Sequence, residues 1–244
     1  MLFTLCTFIT ALAYISGQRI VTQKPSLLTL SKGETATLHC QKPEDDGYRI
    51  HWYKQVPGGA PQFVLYYYRT DSSPTYGSGF SSSRFTSRAQ SNTDYQLVIS
   101  SVEVDDSAVY YCKKWFSSPS EMTCSTVVFG QGTKLIVSDP SLEAPSLSLL
   151  PPSSEELKTG KATLVCLAKM SAAFADVSWT YNGSPLTDGV FTSSATQQAD
   201  KTFGLSSFLS VKPSEWDSDG VFTCRATQGA KSTEAVIKKS NCAE

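Results

Sequence analysis

The stretch DDSAVYYC, residues 105–112, alternates in a way that decides the fold of the chain. Ala108, Tyr110 and Cys112 occupy every second position, so a β-strand places these three side chains on one face. Three other segments repeat this spacing, namely TATLHC (35–40), YQLVIS (95–100) and VSWTY (177–181). Aromatic residues make up 11% of the chain, and no long segment repeats its apolar residues with a helical period. The pattern therefore predicts an all-β protein.

Length and composition narrow the class of protein further. The chain has 244 residues, which suffices for one large or two ordinary domains. A hydrophobic content of 40% and a charged content of 18% favour a packed core over disorder. The formal net charge is −1, which argues against a nucleic-acid partner because such a partner requires a basic face.

The first residues have the character of a secretory signal. Residues 2–15 form one apolar run that is too short to span a membrane. Small residues allow cleavage after Ala13 or after Gly17, and we favour Gly17, which makes residues 1–17 the signal. No other apolar run approaches the length of a span, so we expect no direct membrane insertion. The mature protein is predicted to be secreted, or held at a cell surface only by a partner.

Cysteines support an extracellular setting. Cys6 leaves with the predicted signal, and six others remain as disulfide candidates in an oxidising compartment. The sequence contains no CxxC motif and no histidine-rich spacing of the kind that is typical of zinc sites. We therefore predict neither a metal nor a cofactor. A set of cysteine, tryptophan and cysteine then occurs twice, with the cysteines 72 and 58 positions apart. The sets are Cys40, Trp52, Cys112 and Cys166, Trp179, Cys224.

These two sets resemble the framework of immunoglobulin domains. Tyr110, two residues before Cys112, is similar to the tyrosine corner of that family, and Arg84 with Asp106 is similar to its structural ion pair. The resemblance implies two immunoglobulin β-sandwiches in tandem, variable-type and then constant-type. It also implies that each pair of cysteines forms a disulfide across the sheets, packed against its tryptophan. The expected boundaries are 18–138 for the variable-type domain, 139–145 for an elbow linker and 146–244 for the constant-type domain.

Finer motifs resemble an antibody light chain. FGQGTKLIV (129–137) is similar to a light-chain joining segment, and residues 145–166 and 206–216 are similar to lambda-type constant domains. The long segment 66–83 resembles the sigma isotype of cold-blooded vertebrates. The resemblance implies pairing with an immunoglobulin heavy chain through Cys242, in heavy2–light2 units, and adaptive immune recognition of an antigen.

Two surfaces follow from this resemblance. Loops 41–50, 66–83 and 113–128 should gather at one end, where tyrosine, tryptophan, serine and glycine suit an antigen-binding site. The candidate antigen contacts are Tyr48, Tyr66, Tyr67, Tyr68, Trp115 and Phe116, although some could pack against their own loops. The predicted heavy-chain interface consists of Tyr53, Gln55, Pro61, Phe63, Tyr111 and Phe129.

Other interpretations are weaker. The only histidines are His39 and His51, and neither HExxH nor GxSxG occurs, so we predict no catalytic residue and no enzyme. The acidic residues 44–46 are expected to be solvated. An adhesion sandwich and a T-cell-receptor-like chain stay open, although a receptor chain should carry a membrane anchor. The disulfides implied by the resemblance leave Cys124 without an intrachain disulfide partner. It is then expected either as a free thiol or in a disulfide with the partner chain.

Overall fold

The computed structural model describes residues 20–116 and 126–242. The predicted signal, 1–17, and Cys124 lie outside the described residues. The first half contains the strands β1 (Thr22–Lys24), β2 (Leu27–Ser31), β3 (Ala36–Gln41), β4 (Ile50–Gln55), β5 (Gln62–Tyr67), β6 (Thr75–Tyr76), β7 (Phe85–Ala89), β8 (Asp94–Ile99), β9 (Ala108–Phe116), β10 (Thr126–Phe129) and β11 (Thr133–Ser138).

The second half begins at residue 146 and also consists mainly of strands. They are β12 (Ser146–Leu150), β13 (Ala162–Met170), β14 (Asp176–Tyr181), β15 (Ser184–Leu186), β16 (Val190–Thr192), β17 (Thr196–Gln197), β18 (Phe203–Val211), β19 (Phe222–Gln228) and β20 (Lys231–Ile237). Two short helices, α1 (Ser154–Lys158) and α2 (Pro213–Asp217), connect strands. None of the helices in the described part has the length and hydrophobicity that crossing a membrane requires.

Each half folds as two sheets, which confirms the predicted pair of immunoglobulin sandwiches. In the first half one sheet has the order β1-β3-β8-β7, and the other has the order β2-β11-β9-β4-β5-β6 with β10 paired to β9. Strand β2 runs parallel to β11, and the remaining neighbours are antiparallel. In the second half the sheets are β12-β13-β18-β16, with β17 on β18, and β15-β14-β19-β20.

The disulfide predictions are confirmed in both domains. Cys40 of β3 bonds Cys112 of β9, with the Cα atoms 6.2 Å apart, and so links the two sheets of the first domain. Cys166 of β13 and Cys224 of β19 are joined in the same way, with a Cα separation of 6.4 Å. Trp52 and Trp179 are buried in the respective cores at 0% and 1% exposure. The Trp179 indole donates a hydrogen bond to Ser207 Oγ at 2.9 Å.

A cluster of polar contacts stabilises the segment of the first domain that leads into β9. The Tyr110 hydroxyl donates to the backbone carbonyl of Asp106 at 2.9 Å, as its spacing from Cys112 indicates. The Asp106 carboxylate is buried, forms an ion pair with Arg84 and accepts the backbone N–H of Glu103 at 2.8 Å. These contacts fix the start of β9, the strand from which the third predicted loop leaves.

The segment between β10 and β11 requires glycine. Gly130 donates its backbone N–H to the carbonyl of Cys112 at 2.9 Å, and a Cβ at this position would lie 3.0 Å from the Cys112 sulfur. Gly132 has φ +89°, and a Cβ there would lie 2.8 Å from the Tyr111 ring. The chain can therefore leave β10 beside β9 and enter β11 on the same sheet.

Candidate functional site

One outward face of the first domain carries a cluster of rings. Tyr53 of β4 lies 5.7 Å from Phe63 of β5 and 6.0 Å from Phe129 of β10, measured between ring centroids. Phe129 is 52% exposed, although it is a large apolar side chain. The alternation that buries Trp52 turns Tyr53 outward, because successive side chains point to opposite faces. We call His51, Tyr53, Phe63, Tyr66, Tyr111 and Phe129 the aromatic face.

The residues that the sequence assigned to pairing lie on or beside this face. Tyr111 is directly opposite Tyr53 in the β4–β9 register. Gln55 ends β4 and donates its amide to the carbonyl of Gly59 at 3.0 Å, and Pro61 lies exposed just before β5. The predicted pairing residues do not include His51, whose ring lies on the same face, 5.4 Å from that of Tyr66. Its position two residues before Tyr53 was the signal for an outward side chain.

The tyrosines and the tryptophan predicted to touch antigen fall into two groups. Tyr48 and Trp115 are the most exposed, at 41% and 39%. Tyr66, Tyr67 and Tyr68 are half-buried. The rings of Tyr67 and Tyr68 each lie 6.4 Å from that of the buried Tyr95. Tyr67 and Tyr68 thus pack partly against the core, while Tyr48 and Trp115 present most of their surface to solvent.

Phe116 requires a correction. Phe116 was predicted to lie in an exposed loop, but β9 continues to residue 116 and leaves this ring 1% exposed in the core. Phe116 lies an even number of positions from Cys112, so the alternation of the strand turns it inward. A ring buried in this way offers no surface to a ligand, and we remove Phe116 from the candidate contacts.

The prediction that acidic residues 44–46 are solvated agrees with the exposed Glu44 but requires a correction for Asp45 and Asp46, which form ion pairs with buried lysines. Lys42 has no exposed side-chain surface, and its ammonium lies 3.3 Å from Asp45 Oδ1 and 3.4 Å from Asp46 Oδ1. Lys114, equally buried, forms an ion pair with Asp46 and donates to the carbonyl of Trp115 at 3.0 Å. We call Lys42, Asp45, Asp46 and Lys114 the charge cluster. Buried ammonium groups need such partners, because an unpaired buried charge is costly.

The electrostatics of the cluster follow from this arrangement. Burial raises the pKa of the Asp46 carboxyl, but the hydrogen bond and charge of Lys114, together with the Tyr48 backbone N–H and the charge of Lys42, outweigh burial and hold that pKa below its ordinary value. Burial lowers the pKa of the Lys114 ammonium, and Asp46 opposes this change. The Lys114 ammonium also lies 4.4 Å from the ring centroid of Phe116 and 5.2 Å from that of Tyr48. The cluster therefore connects the first loop to the base of the third.

Ion pairs also connect the first loop to the long second segment. Both guanidinium prongs of Arg49 contact Asp71, with Nη2 to Oδ1 at 2.9 Å and Nε to Oδ2 at 3.1 Å. Asp71 in turn accepts the backbone N–H of Tyr68 at 3.0 Å. Arg69 donates to Asp45 at 3.3 Å. These contacts lie at the same end of the domain as Tyr48 and Trp115, where a ligand could reach several loops at once.

The second domain carries an apolar surface that sequence reasoning missed. The β-sheet register places Leu150 opposite Val165, Val165 opposite Phe208, and Phe208 opposite Phe191. Leu150 is 44% exposed and Phe191 is 66% exposed. We call these four residues the constant row. Their relation depends on the register of four strands, which alternation within each strand does not determine.

Cys242 lies at the end of the described residues. It is exposed and forms no disulfide within the described part of the chain, and its sulfur lies 3.5 Å from the backbone carbonyl of Lys238. The thiol is therefore accessible to a second molecule.

Comparisons with known proteins agree with this architecture. The immunoglobulin V-set domain family matches residues 23–138, and the immunoglobulin C1-set domain family matches residues 147–231. A viral T-cell receptor beta chain-like protein of feline leukemia virus is 34% identical over 178 residues, which cover 70% of this chain and 53% of the viral protein. The match therefore spans about half of the length of that relative. "Ig kappa chain V region 3368" of Oryctolagus cuniculus is 35% identical over 118 residues, 48% of this chain and 96% of the rabbit sequence.

Proposed function

The chain belongs to the immunoglobulin family, with a V-set domain followed by a C1-set domain, and on that premise we propose that it is an antibody light chain. Chains of this kind typically pair with another immunoglobulin-like chain and are not enzymes. In the proposed role the partner is an immunoglobulin heavy chain, bonded through Cys242 in heavy2–light2 units. The protein would act outside the cell, either secreted or held at the surface by a membrane-bound heavy chain.

The observation that carries the proposal is the presence of one exposed apolar sheet face on each domain. Phe129 and Phe191 are 52% and 66% exposed, and both lie among other apolar or aromatic side chains. Contiguous exposed surfaces of this kind mark interaction sites in proteins. Two such faces on successive domains suit a partner that is itself built of two successive domains. The accessible thiol of Cys242 would then make the pair covalent.

The loops support the antigen-binding part of the proposal. Tyr48 and Trp115 supply large amphipathic surfaces with few rotatable bonds, which is the chemistry favoured in antibody combining sites. Lys114 of the charge cluster lies 5.2 Å from the centroid of the Tyr48 ring and donates to the Trp115 carbonyl, and the Arg49–Asp71 pair links the first loop to the second segment. Loops that are fixed before binding lose less conformational entropy when a ligand arrives.

A second candidate function is a chain of a T-cell-receptor-like heterodimer. The observation that favours it is the viral T-cell receptor beta chain-like relative, whose similarity extends over 178 residues and hence beyond one domain. Features that favour the light chain are the joining segment 129–137 and the exposed Cys242. The two candidates differ in the partner that they require.

Identification of the covalent partner tests both. The protein is purified from its native source and separated without reduction, and the peptide bonded to Cys242 is identified by mass spectrometry. We expect a peptide from an immunoglobulin heavy chain. A peptide from a T-cell-receptor chain would establish the second candidate, and a Cys242 thiol without any partner would contradict both covalent assemblies.

A matched pair of variants strengthens the test. Cys242→Ser, expressed with the identified partner, should remove the covalent band while noncovalent pairing persists through the two faces. Ser240→Ala, two residues away, should leave the covalent band unchanged. If the Cys242→Ser chain still migrated with its partner in a non-reducing gel, another cysteine would form the link.

A further inference from the structure

One ammonium group lies in the middle of the aromatic face. The register places Lys113 of β9 between Phe129 of β10 and His51 of β4, and His51 lies opposite Tyr66 of β5. These four side chains form one row across four adjacent strands. Lys113 is half-buried before any partner is present.

The rings around Lys113 hold its ammonium on this face. Its Nζ donates to the Tyr53 hydroxyl at 3.3 Å and lies 5.4 Å from the centroid of the Tyr53 ring. It also lies 4.8 Å from the centroid of the Trp115 ring. Both contacts are favourable to a cation, but neither cancels its charge.

No carboxylate among the described residues pairs with Lys113, and this separates it from the two other lysines of the same region. Lys42 and Lys114 are more deeply buried, and each contacts at least one aspartate. On the loop side Asp71 is already bound to Arg49. Of the three lysines Lys42, Lys113 and Lys114, Lys113 is therefore the one whose counter-ion would have to come from outside the described residues.

Pairing through the aromatic face would remove water from this ammonium. An unpaired charge inside an interface weakens association severely, whereas an opposite charge on the other surface removes the penalty and steers the encounter. A second copy of this chain brings a second ammonium, because a two-fold interface uses the same patch from both molecules. Charge repulsion therefore disfavours pairing of the aromatic face with the same face of a second copy.

We propose that Lys113 prevents the chain from pairing with itself and selects a variable-type immunoglobulin domain that presents an aspartate or glutamate to it. This inference rests on the proposed pairing function. It assigns to one side chain the discrimination between self and partner, which shape complementarity of the aromatic face alone would not provide. The constant row contains no charged residue and cannot make this distinction.

Self-association of the full mature chain tests the inference. All variants carry Cys242→Ser and have free thiols alkylated, so that only noncovalent pairing is measured by sedimentation equilibrium. Lys113→Gln should self-associate at least about tenfold more tightly than the parent, which corresponds to about 1.4 kcal/mol. Lys24→Gln, which removes an exposed lysine from β1 of the opposite sheet, is the control for net charge and should behave as the parent.

A carboxylate-bearing partner is supplied by the chain itself. A fluorescently labelled Lys113→Glu chain mixed with the parent should form mixed pairs at least about tenfold more tightly than the parent forms self-pairs. Adding Phe129→Asp to Lys113→Gln should abolish the gained self-association, since both residues lie on one face. Glu121→Gln, which removes the one carboxylate of residues 117–125, should not change parental self-association.

The outcomes separate the inference from the proposal beneath it. If the parent and Lys113→Gln self-associate equally and Phe129→Asp weakens both, the face pairs but Lys113 does not select, and only the inference fails. If no variant of the aromatic face changes association, the chain does not self-associate through this face and the inference fails, whereas the proposed function still depends on the partner identified at Cys242. A change produced by Glu121→Gln would identify an internal counter-ion and would also overturn the inference.

Discussion

The two domains share one fold but differ in what they bury. The described residues of the first domain include three buried charged side chains, Lys42, Asp106 and Lys114, together with several buried amides and hydroxyls. In the described part of the second domain the buried polar residues are Ser207 and Gln228, and neither is charged. Both domains have apolar cores, and the first adds paired charges, with Lys42 and Lys114 near its loops and Asp106 before the start of β9.

Equivalent positions make the difference explicit. Six residues before the second cysteine of each domain stands Asp106 in the first and Ser218 in the second. Asp106 binds Arg84, while Ser218 Oγ lies 2.9 Å from the Tyr181 hydroxyl at an exposed site. Four residues after that cysteine stand Phe116 and Gln228, both buried. Substitutions that place one domain's residue into the other therefore test what each position requires.

Phe116→Gln should have the largest effect. The change removes a core ring that is 1% exposed and buries an amide in its place, so we expect about 4 kcal/mol of lost stability in the first domain. Hydrogen exchange of β9 and β19, followed in the full chain by mass spectrometry, reports each domain separately. The matched control is Trp115→Thr, which introduces the residue type of Thr227, the neighbour of Gln228. This variant should change the stability of the first domain little. Equal losses for the two variants would contradict the assignment of Phe116 to the core.

Asp106→Ser should destabilise the first domain by about 3 kcal/mol. The variant leaves Arg84, whose side chain is 36% exposed, without its partner and the Glu103 backbone N–H without its acceptor. It also removes the carboxylate that lies 3.7 Å from the ammonium of Lys54, a side chain only 12% exposed, and loss of the partner of a largely buried charge is costly. The reciprocal change, Ser218→Asp, gains no arginine and should not stabilise the second domain. Urea denaturation of both variants measures the effect. A loss below about 1 kcal/mol for Asp106→Ser would show that the pair behaves as a surface salt bridge.

Asp46→Asn should cost about 2 kcal/mol, because it leaves Lys114 without its carboxylate and Lys42 with Asp45 alone. The exposed pair Lys169–Asp200 of the second domain provides the control, and Asp200→Asn should have no measurable effect. Thermal unfolding at neutral pH compares the two variants. Equal shifts in Tm would mean that burial of the charge cluster does not matter.

The same pair predicts a pH dependence. The pKa of Asp46 is lowered in the folded state, so its stabilisation is present above the ordinary value of 3.8 and is lost as pH falls below that value. The difference in stability between the parent and Asp46→Asn should therefore shrink as the pH is lowered from 5 towards 2. A difference that stays constant over this range would contradict the lowered pKa.

The smallest expected effects concern pairing, where both domains present an apolar surface. Phe129→Ser and Phe191→Ser should each weaken noncovalent assembly with the partner by about 1.5 kcal/mol while leaving the stability of the chain unchanged. Calorimetric titration with the partner recovered from the Cys242 linkage measures both. A loss confined to Phe129→Ser would show that the constant row takes no part in pairing.

Alternation within strands predicted much of this structure. The inward positions of Cys40, Cys112 and Trp179 followed from a period of two, and the repeated cysteine sets indicated two domains. The same period would have placed Phe116 and Lys114 inward if β9 had been extended past Cys112. The predicted strand ended too early because the family resemblance assigned residues 113–128 to a loop, and the two lysines at 113 and 114 are of a type depleted in strands.

Other features could not be obtained in this way. Lys42 continues the inward positions of β3, but only its approach to Asp45 and Asp46 explains why a buried ammonium is tolerated there. The constant row depends on the register of four strands. The register that places Phe191 opposite Phe208 joins β16 and β18, and the pattern within either strand does not determine it. Sequence patterns act within a strand, whereas these contacts arise between strands.

The constant row has a consequence for the handling of the protein in the cell. Until a partner covers Leu150 and Phe191, the chain exposes them to every other newly made molecule around it, without a lysine to keep copies apart. Exposed apolar surface of this extent promotes aggregation at high concentration. Balanced synthesis of the two partners would then be a condition for solubility, and surplus chain would be the species that precipitates.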